Sequence, residues 1–222
     1  MSDVAEPSYR QTVGYQAALL GGFTLLAAAL LVIGDLATED AIEQRHAEDL
    51  KASLSQVIPE GIHDNDLLAN PMIIKDDAGE DVVVYRALKG LDVVGVAYRI
   101  VGIGYAGEID SILGLDAQGR ILGVRVLAHA ETPGLGDKIE VAKDDWILGF
   151  DGLSIGDPPL ERWGVKKDGG DFDQFSGATI TPRGVVRSIR EGLQFFAEHR
   201  DALTAPAEIG TADADQPTRS QP

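Results

Sequence analysis

Residues 81–128 read DVVVYRALKGLDVVGVAYRIVGIGYAGEIDSILGLDAQGRILGVRVLA. Runs rich in β-branched residues dominate this stretch: Asp81–Leu88, Asp92–Val101, Ile109–Leu115 and Ile121–Ala128. Branched side chains suit a pleated surface packed on a core, so each run reads as a strand. Lys89-Gly90 fits a hairpin between the first pair, and Asp116-Ala117-Gln118-Gly119 reads as a turn between the last. Strands this close in sequence, with such short joints, predict a mainly antiparallel sheet.

Working outward, helices flank the strands. Glu39–Val57 carries an interrupted apolar stripe at Ala41, Ile42, Leu50, Leu54 and Val57, and Pro59 and Gly61 end it. Beyond the strands, Ala130–Gly170 is rich in Gly and Pro, with a short helix expected near Lys138–Trp146. Thr181–His199 then reads as a helix, with Thr181 as N-cap and Pro182 as first residue. Val185, Ile189, Leu193 and Phe196 form its buried face. Strands grouped together and followed by helices define an α+β domain. From Ala205 to Pro222 the composition turns to Ala, Thr, Asp, Pro and Gln, and a disordered tail is expected.

No charged residue occurs from Gln11 to Gly34, and Ala17–Ile33 (AALLGGFTLLAAALLVI) is apolar on every side. About 20 helical residues cross a hydrocarbon core of ~30 Å. A buried core helix would show a polar stripe, and a cleavable signal would place its small residues after the apolar run; Ala27 and Ala29 lie inside it. The segment therefore reads as an uncleaved anchor. Arg10 precedes it, whereas Asp35, Glu39 and Asp40 follow it. The N-terminus is then expected in the cytoplasm and the large domain outside it, in the periplasm of a bacterium. This divides the chain into a cytoplasmic N-terminus (1–12), an anchor in the inner membrane (13–34), a periplasmic domain (35–204) and the acidic tail (205–222).

The chain of 222 residues carries a net charge of −17, with 36 acidic and 19 basic residues, a balance that excludes nucleic acid as a partner. Without cysteine it has no disulfide, no thiolate nucleophile and no cysteine-ligated cluster, and its 4 histidines lack metal-ligand spacing. Any redox chemistry must ride on an organic cofactor.

Asp173-Gln-Phe-Ser-Gly-Ala-Thr179 stands just before the C-terminal helix. The small side chains of Ser176, Gly177 and Ala178 let a ligand approach backbone N–H groups. A helix N-terminus adds unpaired N–H groups and a positive dipole end, and Arg183 and Arg187 follow. Ser176 and Thr179 offer hydroxyls. On these residues alone the segment is either a phosphate site or a small-residue turn before a helix.

The string Asp173…Ser176-Gly177-Ala178-Thr179 resembles the flavinylation signal D-x-x-[ST]-G-A-T. His129-Ala-Glu-Thr-Pro-Gly-Leu-Gly-Asp-Lys138, Asp145-Trp-Ile-Leu148 and Arg162-Trp-Gly-Val-Lys-Lys-Asp-Gly-Gly170 are similar to further blocks of one family: the G subunit of Rnf electron-transport complexes. The C subunit of the sodium-translocating NADH:quinone reductase is its cousin. The resemblance implies an FMN-binding domain in which a flavin transferase moves the FMN half of FAD onto Thr179, leaving a phosphoester. It implies that Glu131, Thr132 and Leu135 line the flavin ring, the first two at its polar edge, and that Lys166 or Lys167 lies near the ring or its phosphate. It also implies partner subunits in a membrane complex that exchanges electrons between ferredoxin and NAD, coupled to cation movement. The string Gly102-Ile-Gly-Tyr-Ala-Gly107 fits G-x-G-x-x-G but leads from one strand run into another rather than into a helix, and the span carries no charge, so the chain is an electron-transfer subunit of a translocase rather than a pump or NADH enzyme alone. The rival readings are the cousin from the quinone reductase and a tethered, non-redox binding module.

Overall fold

Branched and aromatic side chains alternate through the middle of the chain, and the backbone there forms a meander of antiparallel strands. The computed structural model describes residues 12–76 and 78–207. Its elements are α1 (Val13–Val57), β1 (Met72–Lys75), β2 (Asp81–Lys89), β3 (Asp92–Ile103), β4 (Glu108–Asp116), β5 (Ile121–His129) and α2 (Ile180–Leu203). The sheet has 5 strands in the order β1-β2-β3-β4-β5, every neighbour antiparallel. The four strands read from sequence stand within a residue or two of their expected limits. β1 is an additional short edge strand whose Met72 and Lys75 pair with Val84 and Asp81.

The chain divides into two compact units, Met1–Asp49 and Leu50–Pro222. In the first unit, the described part of α1 contains one stretch, Val13–Asp35, long and apolar enough to cross a membrane, with none of it buried by protein. Helix and span are continuous in secondary structure with the expected helix Glu39–Val57; α1 runs unbroken. The side-chain surroundings of Ala41 and Ile42 lie outside what is described, as do residues 1–11 and 208–222, on which the expected cytoplasmic terminus and most of the expected tail fall.

The second unit holds both faces of the sheet covered. On one, Val96, Tyr98, Leu113 and Leu115 pack beneath Val185, Ile189, Leu193 and Phe196 of α2, the face expected from its spacing. On the other, Leu54, Val57 and Ile58 pack on Ala87, Ala97 and Ile112. Glycines permit the close approaches. A Cβ on Gly114 would lie 2.4 Å from Val57 O, and one on Gly184 would lie 2.2 Å from Ile103 O. Helix α2 thus meets β3 backbone to backbone near its N-terminus. Tyr98 reaches across to donate its hydroxyl to Gly192 O at 2.8 Å, and burial pushes its phenol well above the usual range.

Two local expectations are corrected. The short helix near Lys138–Trp146 is instead a pair of 3-10 turns, Asp137–Ile139 and Asp145–Phe150. Asp144 interrupts between them, extended and accepting the Trp146 N–H. Helix α2 also begins earlier, with Thr179 rather than Thr181 at its N-cap and Pro182 inside the first turn. Pro is tolerated there because the first-turn N–H groups have no helical acceptor. Thr181 is not free to cap, because its hydroxyl is used elsewhere. At the other end, Ala207 N–H donates to Leu91 O at 2.9 Å.

Candidate functional site

The Asp173–Thr179 segment rests on aromatic rings. Phe175 is buried 5.1 Å from Trp146, whose ring meets Phe150 at 5.1 Å. Phe172 stacks on Phe150 at 4.6 Å and lies 5.1 Å from Trp163. Trp146 and Trp163 are therefore packing aromatics. Trp146 also donates its indole N–H to Asp173 O at 2.9 Å. With Phe175 anchored, the chain turns sharply: Ala178 N–H donates to Phe175 O, and Gly177 takes φ +83°. That angle at the third turn position favours glycine. It leaves Ser176 and Gly177 exposed on the outside of the turn.

Thr179 follows at the N-cap of α2 with φ −74° and ψ −29°, and its hydroxyl makes no capping hydrogen bond. The carbonyl of Thr179 accepts from Arg183 N–H. The N–H groups of Ile180 and Thr181 have no acceptor among the described residues. A half-buried hydroxyl and two free donors thus sit together at the positive end of a 24-residue helix.

A second loop closes on this turn. In His129–Lys138, the N–H groups of Leu135 and Gly136 both donate to Thr132 O at 3.1 Å, and Gly134 takes φ +78°. Asp137 Oδ1 accepts the Gly134 N–H at 2.7 Å. Leu135, 45% exposed, brings its Cδ2 to 3.7 Å from where a Cβ on Gly177 would lie. Thr132 is exposed in the same loop. His129 Nδ1 accepts the Glu131 N–H, so Nε2 carries the proton and donates to Glu140 at 2.8 Å, a structural role.

Glu131, which the resemblance sets at the polar edge of the flavin ring, is buried in this structure. It is 6% exposed, with Oε2 accepting the Thr181 hydroxyl at 2.6 Å and Oε1 accepting the Ala106 N–H at 3.0 Å. Sequence reading did not single out several exposed apolar side chains of the domain. Ile180 follows Thr179 directly and is exposed, as are Ile103 and Tyr105 at the β3–β4 tip. An exposed aromatic in a glycine-flanked hairpin (Gly102–Gly107) was the available signal.

Four neighbouring cations are already paired. Arg183 grips Asp168 through Nε at 2.6 Å and Nη2 at 3.0 Å, and Arg187 pairs with Glu191 at 2.7 Å. Arg162 pairs with Asp171. Lys166 Nζ pairs with Asp173 Oδ1 at 2.6 Å, tying the expected flavin-side lysine to the first residue of the signal string. The Arg183 guanidinium holds the Asp168 carboxyl below the usual carboxylate range. Arg183 and Arg187 therefore do not stand as unpaired charges. A concavity of about 430 Å³ lies between β3 and the later turns of α2, beside Tyr98, Gly192 and Phe195, and Thr179 does not line it.

An uncapped threonine at a helix start, a φ-positive glycine turn before it and a neighbouring loop that touches that turn thus stand together in the C-terminal half of the domain. The FMN-binding domain family matches residues 104–194, from the β3–β4 tip into α2. Over nearly the whole chain the likeness is closer. The G subunit of the ion-translocating oxidoreductase complex of Cereibacter sphaeroides is 52% identical over 188 residues, 85% of this chain and 86% of that protein. The corresponding G subunit of Stutzerimonas stutzeri is 46% identical over 88% of this chain and 86% of its own length, and that of Pseudomonas aeruginosa 43% over 90% and 95%. The chain belongs to the family of G subunits of ion-translocating oxidoreductase complexes. Among solved structures, NqrC of Shewanella oneidensis is 25% identical over 66% of this chain and 73% of its own, with a TM-score of 0.44. The C subunit of the Na(+)-translocating NADH-quinone reductase of Parabacteroides distasonis is 19% identical over 71% and 94%, with a TM-score of 0.45.

Proposed function

We propose that the chain is a single-pass electron-transfer subunit whose FMN is joined through its phosphate to Thr179 Oγ. The observation that carries this reading is the uncapped Thr179 hydroxyl at the N-terminus of α2, beside the exposed Ser176-Gly177 turn. The residues present fit the group. Ile180 and Thr181 N–H groups are free to face a phosphodiester, which keeps one negative charge, and Gly177 leaves the approach open. In the loading step the Thr179 oxygen bonds to the FMN phosphorus of FAD, the pyrophosphate P–O bond breaks, AMP leaves and the hydroxyl proton passes to solvent. A flavin transferase supplies catalysis for that step. Once bound, FMN supplies reversible electron transfer.

The chain's own residues hold and shield the cofactor. Leu135 and Ile180 offer apolar surface on either side of the turn, and Thr132 offers polar groups at the loop edge. Lys166 reaches this area through Asp173, and its charge is partly spent in that pair. Residues 13–34 anchor the protein in the inner membrane, residues 35–204 form the periplasmic domain, and residues 205–222 its tail. Electrons pass between the flavin and neighbouring redox centres in other subunits of the complex.

Two experiments test this. The full chain is expressed with a periplasmic flavin transferase, denatured and viewed under ultraviolet light beside Thr179→Val. Flavin fluorescence is expected in the wild type and absent from the variant; fluorescence retained in Thr179→Val refutes the attachment site. A topology reporter fused after Pro222 is expected to read as exported, and a cytoplasmic signal overturns the orientation.

A further inference from the structure

The most completely enclosed acidic side chain at the site touches nothing charged. Glu131 accepts from the Thr181 hydroxyl and from the Ala106 N–H, both neutral donors, and no cation pairs with it among the described residues. Space for it is made by glycine. A Cβ on Gly104 would lie 2.2 Å from Oε1, and one on Gly136 would lie 2.6 Å from Oε2. Three chain segments therefore close around one carboxylate: the β3–β4 tip, the loop that carries Leu135, and the first turn of α2.

Thr181 is fully buried and stands two residues after Thr179. Its hydroxyl is directed to Glu131, while Thr179, the N-cap, makes no side-chain cap of its own. The first turn of α2 is thus fixed from below by Glu131, leaving the Thr179 hydroxyl free above. Both Glu131 oxygens accept from neutral donors, as a carboxylate does. A carboxylate beside the first turn of α2 opposes the build-up of further negative charge there.

We infer that Glu131 is a positioning residue: acting through Thr181, it holds the start of α2 so that the Thr179 hydroxyl is presented for flavin transfer, and its buried charge makes the attached flavin harder to reduce. This rests on the attachment of FMN to Thr179. It differs from the ring-edge contact that the resemblance implied, because the side chain is turned to Thr181 and Ala106.

The test uses the full chain in membranes, supplied with FAD and flavin transferase. It compares wild type, Thr181→Val, Thr181→Ser and Glu131→Gln. Initial rates of covalent flavin uptake are read from in-gel fluorescence, midpoint potentials from redox titration, and folding from thermal melting. Thr181→Val removes only the donor, and its uptake rate is expected to fall at least tenfold. Thr181→Ser keeps the donor and is expected to restore the rate. Glu131→Gln is expected to load slowly and to hold a flavin of more positive potential, while the flavin of Thr181→Val keeps a potential near that of wild type. A Thr181→Val rate within twofold of wild type, or an unchanged potential in Glu131→Gln, overturns the inference. Should Thr181→Val fail to melt cooperatively, the Glu131→Gln rate and potential decide by the same limits. A wild type that takes up no flavin, beside a loaded control protein, defeats the FMN attachment itself rather than the role of Glu131.

Discussion

Gly177 carries the sharpest constraint at the residue scale. Its φ of +83° is a conformation that L side chains rarely adopt, although a Cβ there would meet only Leu135 Cδ2 at an ordinary 3.7 Å. The penalty for Gly177→Ala is therefore conformational, about 1 kcal/mol, and it falls on the turn that leads into Thr179. Slower flavin uptake with a small drop in melting temperature is expected; unchanged uptake would mean the turn geometry is irrelevant to loading. Arg183 and Asp168 make a second residue-scale case. Arg183 depresses the Asp168 carboxyl in the folded state. A depressed folded value means the pair stabilises above the unfolded carboxylate value of about 4 and is lost as pH falls below it. Because both side chains are largely exposed, the effect is small and weakens with salt. Thermal melting of wild type and Asp168→Asn across a pH series at low ionic strength should show a modest wild-type advantage near neutral pH that disappears below about pH 4. An advantage that persists in acid would assign the difference to something other than the charge pair.

At the scale of elements, α2 depends on glycine where it crosses β3. Gly184→Ala would place a Cβ 2.2 Å from Ile103 O and 2.8 Å from its carbon, both backbone atoms. Backbone cannot swing aside as a side chain can, so overpacking of about 2–3 kcal/mol is expected. Denaturant titration of the full chain in detergent measures it; a loss under about 0.5 kcal/mol would mean the helix shifts freely. The elements also show which signals the sequence carried. β2 to β5 were legible because branched residues cluster there and short turns separate them. β1 was not: Met72–Lys75 is only 4 residues, and its pairing partner, not its composition, makes it a strand. The start of α2 was misread by two residues because a Thr-Pro pair favours an N-cap locally, while the fold commits the Thr181 hydroxyl to Glu131, 50 positions away. Glu131 was singled out by motif, but its burial depends on Gly104 and Gly136 meeting in space, which no local pattern encodes.

The whole molecule combines an exposed apolar span with an acidic α+β domain. Val13–Asp35 buries none of its surface within the protein, so its solvent must be supplied from outside. Exposure of such a run to water is costly at roughly 25 cal/mol per Å². The chain is expected to remain in the membrane pellet after alkaline carbonate washing, and release into the supernatant would contradict a spanning anchor. The domain's charge, with the chain at −17, keeps its surface repulsive to anionic lipid and nucleic acid, and Ile103, Tyr105, Leu135 and Ile180 stand exposed on it as apolar side chains.

Covalent FMN on Thr179 is the central claim, and peptide mass spectrometry of the loaded protein tests it most directly. Trypsin cuts after Lys167 and Arg183, releasing a peptide that holds Ser176, Thr179 and Thr181 together. The account predicts a mass increase of FMN less water on this peptide, with fragment ions placing it on Thr179. An unmodified peptide from protein treated with active transferase, or fragments placing the flavin on Ser176 or Thr181, would contradict it.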